Sequence, residues 1–233
     1  MKKLLVLSIL LSSFIFSCNK DPEPEPELIR AYCYLYHFIP QMSDVIWEIE
    51  GYELPEEQAY AVLFPGAVIL EAGTDDIEFV VKHPGTSEVL VNQMLQLEQN
   101  TYYNVIVCGP ADNPTLLVKE IDICYPQAGN VALQALHSIP YQGPIDLYIG
   151  DTTQEKRVVT ALNYLELTDR FEVSAIDIRT EMTLTAHGDE FSQDSVLLTS
   201  DYNDIVSEAR YLSVLAHFTH DTTSELTFWL YIL

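Results

Sequence analysis

The sequence predicts an all-β protein whose folded part consists of two tandem antiparallel β-sandwich domains of Ig-like or transthyretin-like architecture. Short runs such as Ile77–Lys82 and Ile145–Ile149 alternate apolar with polar residues, and turn residues separate the runs. The chain also repeats itself at a spacing of about one hundred residues. Period-two alternation is typical of half-buried strands, and strands without intervening helices pair antiparallel in sandwiches or barrels.

The N-terminus carries the pattern of an export signal. Lys2 and Lys3 precede an apolar run that ends at Phe16, and Cys18 follows. A transmembrane helix needs about 20 apolar residues, so this run predicts a signal peptide over residues 1–17. Residues 15–18 resemble the lipobox of bacterial lipoproteins, which implies lipidation of Cys18 and a membrane anchor with the lipid as its partner. The alternative is an ordinary secretory signal.

Residues 18–28 predict an extended tether, because the Pro-Glu alternation of residues 22–27 is too polar and proline-rich to pack into a core. Lys20, followed by acidic residues, resembles the surface-export signal of lipoproteins from the Bacteroidota. This resemblance implies lipid anchoring in the outer membrane with display at the cell surface. The alternative is a solvated stalk that carries no surface-export signal.

The charge of the chain restricts its partners. The formal net charge is −24, and it becomes more negative once Lys2 and Lys3 leave with the signal. Such acidity repels phosphate backbones and anionic headgroups, so nucleic acid is excluded as a partner. An apolar content of 48% nevertheless supplies material for one or two cores.

The internal repeat sets the predicted domain boundaries. Segment 35–40 recurs at 135–140. In the next strand, Val45, Trp47 and Ile49 match Ile145, Leu147 and Ile149. Further along, Ile77, Phe79 and Val81 match Met182, Leu184 and Ala186, and Tyr103 matches Tyr211. The growing offset indicates loop insertions in the second copy. We therefore predict one domain over residues 29–125 and another over residues 129–233.

The opening strands of each copy resemble a known family. A strand that runs into residues 37–40 or 137–140, a polar turn, and then the strand at residues 145–150 are similar to the opening of domain-of-unknown-function family 4397. Members of that family are bacterial, exported and often lipoproteins. The resemblance implies a β-sandwich and brings no catalytic residues.

The search for catalytic chemistry predicts no enzyme, no cofactor and no metal site. His37 and His137 occupy equivalent positions, which indicates one structural role, capping the turn before the proline. His217 and His220 would lie on opposite faces of a strand. A cluster formed by Asp201, Asn203 and Asp204 lacks the spacing of a calcium loop. The sequence contains neither a Gly-x-Ser-x-Gly nucleophile elbow nor a phosphate-binding glycine loop.

Three tyrosines are the candidate binding residues. Tyr32, Tyr34 and Tyr36 alternate along one strand, opposite its apolar face, where their rings would contact a glycan or a protein partner. The alternative is packing against a loop or against the second domain.

The three remaining cysteines leave their pairing open. Cys33, Cys108 and Cys124 lie in the first half of the chain, and an oxidising compartment permits one disulfide among them.

These observations predict a non-catalytic surface lipoprotein that acts as a binding or adhesion module. Two alternatives stay open: a glycan-binding accessory lipoprotein of a polysaccharide-uptake system, and a structural component of a surface assembly that exchanges strands at an open sheet edge.

Overall fold

The computed structural model describes residues 30–232, except residues 74, 189, 201–206, 208 and 221–222. In the last two strands, only the side chains of Tyr211 and Tyr231 are described. The signal peptide, Cys18 and the tether lie outside the described residues. None of the helices in the described ranges has the length and apolar character that crossing a membrane requires.

The regular secondary structure of the described residues consists mainly of strands. The first half contains β1 Arg30–Phe38, β2 Asp44–Ile49, β3 Tyr52–Glu53, β4 Gln58–Ala59, β5 Val68–Glu71, β6 Ile77–Lys82, β7 Val89–Leu95, β8 Tyr102–Cys108 and β9 Thr115–Glu120. The second half contains β10 Asn130–Ser138, β11 Ile145–Ile149, β12 Arg157–Leu162, β13 Phe171–Ser174, helix α1 Ala175–Thr180, β14 Met182–Ala186, β15 Val196–Ser200, β16 Arg210–His220 and β17 Thr223–Ile232.

The strands form two outer sheets and two inner sheets. Outer sheet 1 has the order β3-β2-β6-β7, with the short β4 also paired to β2. Inner sheet 1 has the order β5-β1-β8-β9, inner sheet 2 β13-β10-β16-β17 and outer sheet 2 β12-β11-β14-β15. One apolar core lies between outer and inner sheet 1, around Leu35, Trp47, Phe79 and Val105. A second core lies between outer and inner sheet 2, around Leu133, Leu147 and Leu184.

A third apolar cluster joins the two inner sheets. It contains Tyr36, Phe38, Ile106 and Cys108 from inner sheet 1, with Leu136 from inner sheet 2. Leu165, Leu167 and Tyr231 of the second half pack against it. The inner sheets therefore have apolar contacts on both faces, one toward their own outer sheet and one toward each other.

The strand order of the second half repeats that of the first. β10 takes the place of β1, β13 that of β5, β16 that of β8 and β17 that of β9 in the inner sheets. The outer sheets correspond in the same way, except that outer sheet 1 has the additional strand β4. The predicted burial at the matched positions is confirmed, since Trp47 and Leu147 are both at most 1% exposed.

The strand registers correct one part of the sequence alignment. Trp47 lies opposite Val81, and Leu147 lies opposite Leu184, so Val81 corresponds to Leu184 rather than to Ala186. Phe79 corresponds in turn to Met182, opposite Ile49 and Ile149. The sequence alignment was wrong by two residues here, because a two-residue slip leaves every side chain on the same face of a strand.

The alignment of Tyr103 with Tyr211 is correct. Tyr103 lies opposite Cys33 and Tyr211 lies opposite Leu133, the residue that corresponds to Cys33. Both tyrosines are buried.

Two features differ from the predicted all-antiparallel fold without helices. β1 pairs with β8 in parallel, and β10 pairs with β16 in parallel. Helix α1 is short and begins after Ser174, whose hydroxyl accepts hydrogen bonds from the N–H groups of Ile176 and Asp177. A serine followed three residues later by an acidic residue is a helix-start signal, so this helix was detectable from the sequence.

Candidate functional site

The face of inner sheet 1 that points away from its own core carries its side chains in four rows across the strands. The rows are Ile69-Tyr32-Tyr102, Tyr34-Asn104-Lys119, Tyr36-Ile106-Leu117 and Phe38-Cys108-Thr115. Residues that lie directly opposite each other on paired strands project to the same face, so each row forms a continuous band. The rows change from aromatic to polar and then to apolar along the strands.

The second half of the chain covers the last two rows. Tyr36 is fully buried, and its ring centroid lies 5.2 Å from that of Tyr231. The ring of Phe38 lies 6.0 Å from Tyr231. Tyr36 is therefore a packing residue between the inner sheets, and the hypothesis that it belongs to an exposed recognition surface is wrong. Burial raises the pKa of its phenol far above the ordinary range.

The first row remains open at the other end of the sheet. The rings of Tyr32 and Tyr102 stack with centroids 4.6 Å apart and an interplanar angle of 12°. Both side chains are half-buried, and Ile69 beside them is exposed. Tyr34, in the second row, is also half-buried and packs against the cluster between the inner sheets. Tyr32 and Tyr34 are more exposed than Tyr36 and thus remain candidate binding residues.

A buried amide pair marks the boundary between the open and the covered rows. The Asn104 side-chain nitrogen donates to the Gln134 side-chain oxygen over 3.0 Å, and the Gln134 nitrogen donates to the carbonyl oxygen of Glu120 over 3.4 Å. Asn104 is fully buried, and its side-chain oxygen has no hydrogen-bond partner. This pair joins β8 of the first half to β10 of the second half.

Ion pairs between the halves continue the boundary toward solvent. Lys119 Nζ lies 2.6 Å from Asp169 Oδ1, and the ammonium lowers the pKa of that carboxyl below its ordinary value. Arg170 contacts Asp122 at 3.4 Å and Glu172 at 2.8 Å, and its buried Nε has no partner. Both cations in this region are therefore already paired with carboxylates.

A groove opens where these polar groups meet the connecting segment 121–129. Its main part has a volume of about 480 Å³ and is lined by Lys119, Glu120, Asp122, Gln134, Asp169 and Arg170. An adjoining recess of about 160 Å³ shares Glu120 and Asp122 and is lined on other sides by Tyr102, Ile121 and Ile123. We call the two together the junction groove. It combines apolar walls with convergent polar groups, as ligand sites do.

The sequence prediction missed the junction groove. Tyr102 is the cross-strand neighbour of the predicted Tyr32, but only the parallel pairing of β1 with β8 brings the two together. No local signal was present, because Lys119 and Arg170 are far apart in the sequence and only the fold brings them to the same groove.

His37 and His137 have the predicted structural role, which the hydrogen bonds confirm. The backbone N–H of Ile39 donates to His37 Nδ1 over 3.2 Å, and Ile139 donates to His137 Nδ1 over the same distance. Because Nδ1 accepts, the neutral ring carries its proton on Nε2 and donates it to the carbonyl oxygen of Met42. The corresponding bond of His137 reaches the carbonyl oxygen of Gly143.

These turns predict a pH-dependent stability. Burial lowers the pKa of His37 from its ordinary value of 6.5 to about 4 and lowers that of His137 as well. As the pH falls, the histidines of the unfolded chain are protonated before those of the folded chain. The contribution of these turns to stability is therefore fully present above pH 6.5 and is lost as the pH drops toward 4. We expect a loss of about 2 kcal/mol from His37 between pH 8 and pH 5.

Urea unfolding at a series of pH values tests this expectation. Asparagine keeps an acceptor for the Ile39 N–H but does not titrate, so His37→Asn should show a flatter profile over this range. Asp44, whose charge opposes the lowering of the His37 pKa, is unchanged in that variant. Parallel profiles for the two proteins would contradict the prediction.

The sequence reasoning also missed a buried cluster around Asp146. It treated Asp146 as the polar side of a half-buried strand, whereas all five residues of β11 are buried. The Asp146 carboxylate accepts from the N–H of Ala161 at 2.8 Å and contacts His187 Nδ1 at 2.9 Å and Arg157 Nη1 at 3.1 Å. Burial raises the pKa of Asp146, but these bonds together hold it below its ordinary value.

The Asp146 cluster ties β11 to β12 and to the turn after β14. Arg157 also donates to the carbonyl oxygen of Gly188 over 2.8 Å, and the N–H of Gly188 faces the carboxylate. The contacts of Asp146 thus connect strands and turns, which gives this residue a structural role. In the first half, Ile46 stands at the corresponding position.

The other sequence-predicted residues are placed as follows. Cys33 and Cys108 are buried free thiols, and Cys124 is exposed. The cluster of Asp201, Asn203 and Asp204 and the side chains of His217 and His220 lie outside the described residues. Within the described ranges, no group of three or more metal-ligating side chains is found.

Comparison with protein-family models gives a match. The model of the family described as domain of unknown function (DUF4397) matches residues 31–148, half of the chain. The matched range begins in β1 and ends in β11, so it includes both histidine turns and most of the junction groove. No curated protein matches the chain.

Proposed function

We propose that this chain, which belongs to the DUF4397 family, is a non-catalytic binding module whose ligand site is the junction groove. The observation that carries the proposal is that both halves line the groove. β9 and the connecting segment contribute Lys119, Glu120 and Asp122, and the second half contributes Gln134 and Arg170. A volume of about 480 Å³ lies within the range of small-molecule sites, roughly 300–1,000 Å³.

The same proposal describes the chain as two tandem copies of one sandwich domain. The identical strand order of the two inner sheets supports it. The two histidine turns also support it, because residues 41 and 141 both have positive φ values, 65° and 64°. In this view, duplication created the groove, since a single copy has no partner sheet against which to form it.

The absence of catalysis is part of the proposal. Both ring nitrogens of His37 are used in the turn, and His137 is bonded in the same way. His187 is held by the structural Asp146 cluster. None of the three lines the junction groove.

We further propose that a lipid on Cys18 anchors the protein in the outer membrane and that residues 18–28 hold the domains away from it at the cell surface. The support is the sequence pattern of residues 1–28. Several acyl chains hold a protein at a membrane where one chain alone gives only marginal binding.

The variant Cys18→Ala tests the anchor. Wild-type protein should sediment with membranes and be digested when protease is added to intact cells, because its domains face outward. Cys18→Ala should be released into the soluble fraction or remain unprocessed. Cys124→Ala is the matched control, since it removes an exposed cysteine from the folded part and should leave the wild-type behaviour intact. Complete membrane retention of cleaved Cys18→Ala would contradict the anchor, and protection from external protease would contradict surface display.

A further inference from the structure

We propose that the junction groove binds a neutral oligosaccharide. One sugar ring packs against Tyr102, and the hydroxyl groups of the sugar form hydrogen bonds with the side chains around Gln134. This inference rests on the proposed function, and it names the ligand class of the same site. Its basis is the combination of an aromatic wall, a mixed set of donors and acceptors, and a charge balance that disfavours anions.

The aromatic wall comes from the open first row of inner sheet 1. Tyr32 covers one face of the Tyr102 ring at 4.6 Å and holds it in place. Tyr102 lines the recess of about 160 Å³ together with Ile121 and Ile123. A sugar ring has an apolar side formed by its C–H groups, and such a side packs on aromatic and aliphatic walls of this kind.

The polar groups suit hydroxyl groups, which both donate and accept hydrogen bonds. Lys119, Arg170 and the Gln134 amide supply donors, and Glu120, Asp122 and Asp169 supply acceptors, all on the lining of the main groove. Gln134 is only 4% exposed and is fixed by Asn104 behind it. The Arg170 side chain is partly exposed to the groove, and its buried Nε has no hydrogen-bond partner in the described structure.

The charge balance selects against charged ligands. Lys119 and Arg170 are already paired with Asp169 and Asp122, so an anion would have to break these pairs. The lining has one more carboxylate than it has cations, and the whole chain carries −24. Acidic polysaccharides and phosphorylated ligands are therefore repelled. A cationic peptide is the competing ligand, but its charges would have to compete with Lys119 and Arg170 for Asp169 and Asp122.

Binding of the purified full-length chain in detergent to a glycan array tests the inference. The array should carry neutral oligosaccharides, acidic oligogalacturonides and, as a non-glycan probe, oligolysine. We expect binding to neutral oligosaccharides only. For the bound oligosaccharide, titration calorimetry should then show Kd about tenfold weaker for Tyr102→Ala and severalfold weaker for Ile123→Ala.

Tyr141→Ala is the matched control, because Tyr141 is a fully exposed tyrosine outside the groove, and its Kd should equal that of the wild type. Ile123 is exposed on the connecting segment, so its variant should fold even if Tyr102→Ala loses stability. Melting curves identify any variant that does not fold.

Each other outcome has a defined meaning. If no neutral oligosaccharide binds, the glycan inference is overturned. Oligolysine binding that depends on Tyr102 and Asp122 would also overturn it, although the junction groove would stand as a binding site. If a neutral oligosaccharide binds equally well to wild type, Tyr102→Ala and Ile123→Ala, both the inference and the groove as the ligand site fail.

Discussion

Replacing Leu147 with alanine is expected to lower the free energy of unfolding by about 2–5 kcal/mol, as for other large-to-small changes in a packed core. Leu147 is 1% exposed and lies opposite Leu184 in the middle of outer sheet 2. The alanine leaves a cavity between two rigid sheets, and the surrounding strands cannot close it without losing their own register. Equilibrium unfolding in urea measures the change.

The matched control for Leu147→Ala is Ile176→Ala, which removes a branched aliphatic side chain that is 72% exposed on helix α1. Its effect should stay within about 0.5 kcal/mol, as for other surface substitutions. Trp47→Ala should cost about 3–5 kcal/mol at the corresponding position of the first half. A loss below about 1 kcal/mol for Leu147→Ala would contradict the core described here.

Replacing Asp146 with alanine should cost about 3–5 kcal/mol, because it leaves the nearly buried Arg157 guanidinium without its carboxylate. The Arg157 side chain is 9% exposed and that of Asp146 is 1% exposed. The N–H of Ala161 loses its acceptor as well. Thermal and urea unfolding of the variant measure the loss.

A double variant separates the charge from the packing. In Asp146→Ile with Arg157→Met, both charges are absent and the position carries the isoleucine found at residue 46 of the first half. Because no uncompensated charge remains, this variant should be more stable than Asp146→Ala. Glu48→Ala provides the comparison for a more exposed ion pair, that with Lys82, and should cost at most about 1 kcal/mol. Equal losses for Asp146→Ala and Glu48→Ala would contradict the structural role of the Asp146 cluster.

Local sequence pattern was sufficient for much of the fold. The alternation in β2, β6 and β11 identified strands and their core-facing residues, and equal spacing identified His37 and His137 as one structural element. The same pattern did not determine the register in which β6 and β14 correspond to each other. Alternation repeats every two residues, so shifts of two residues satisfy it equally well.

The site depended on contacts that the sequence does not encode locally. Tyr36 and Tyr32 have the same residue type and the same strand face, yet one is buried by Tyr231 and the other remains at the open end of the sheet. Asp146 looks like an outward-facing strand residue until Arg157 and His187 are brought onto it by two separate turns.

By itself, the sequence determined the strand content and the structural role of the two histidines, because each of these is set by neighbours within a few residues or by equal spacing. Only the tertiary structure decided the parallel pairing of β1 with β8, the packing of the inner sheets against each other and the position of the junction groove. These features join residues separated by tens of positions along the chain. Which of two chemically similar faces is covered is decided by the packing of whole sheets, and no local pattern records that choice.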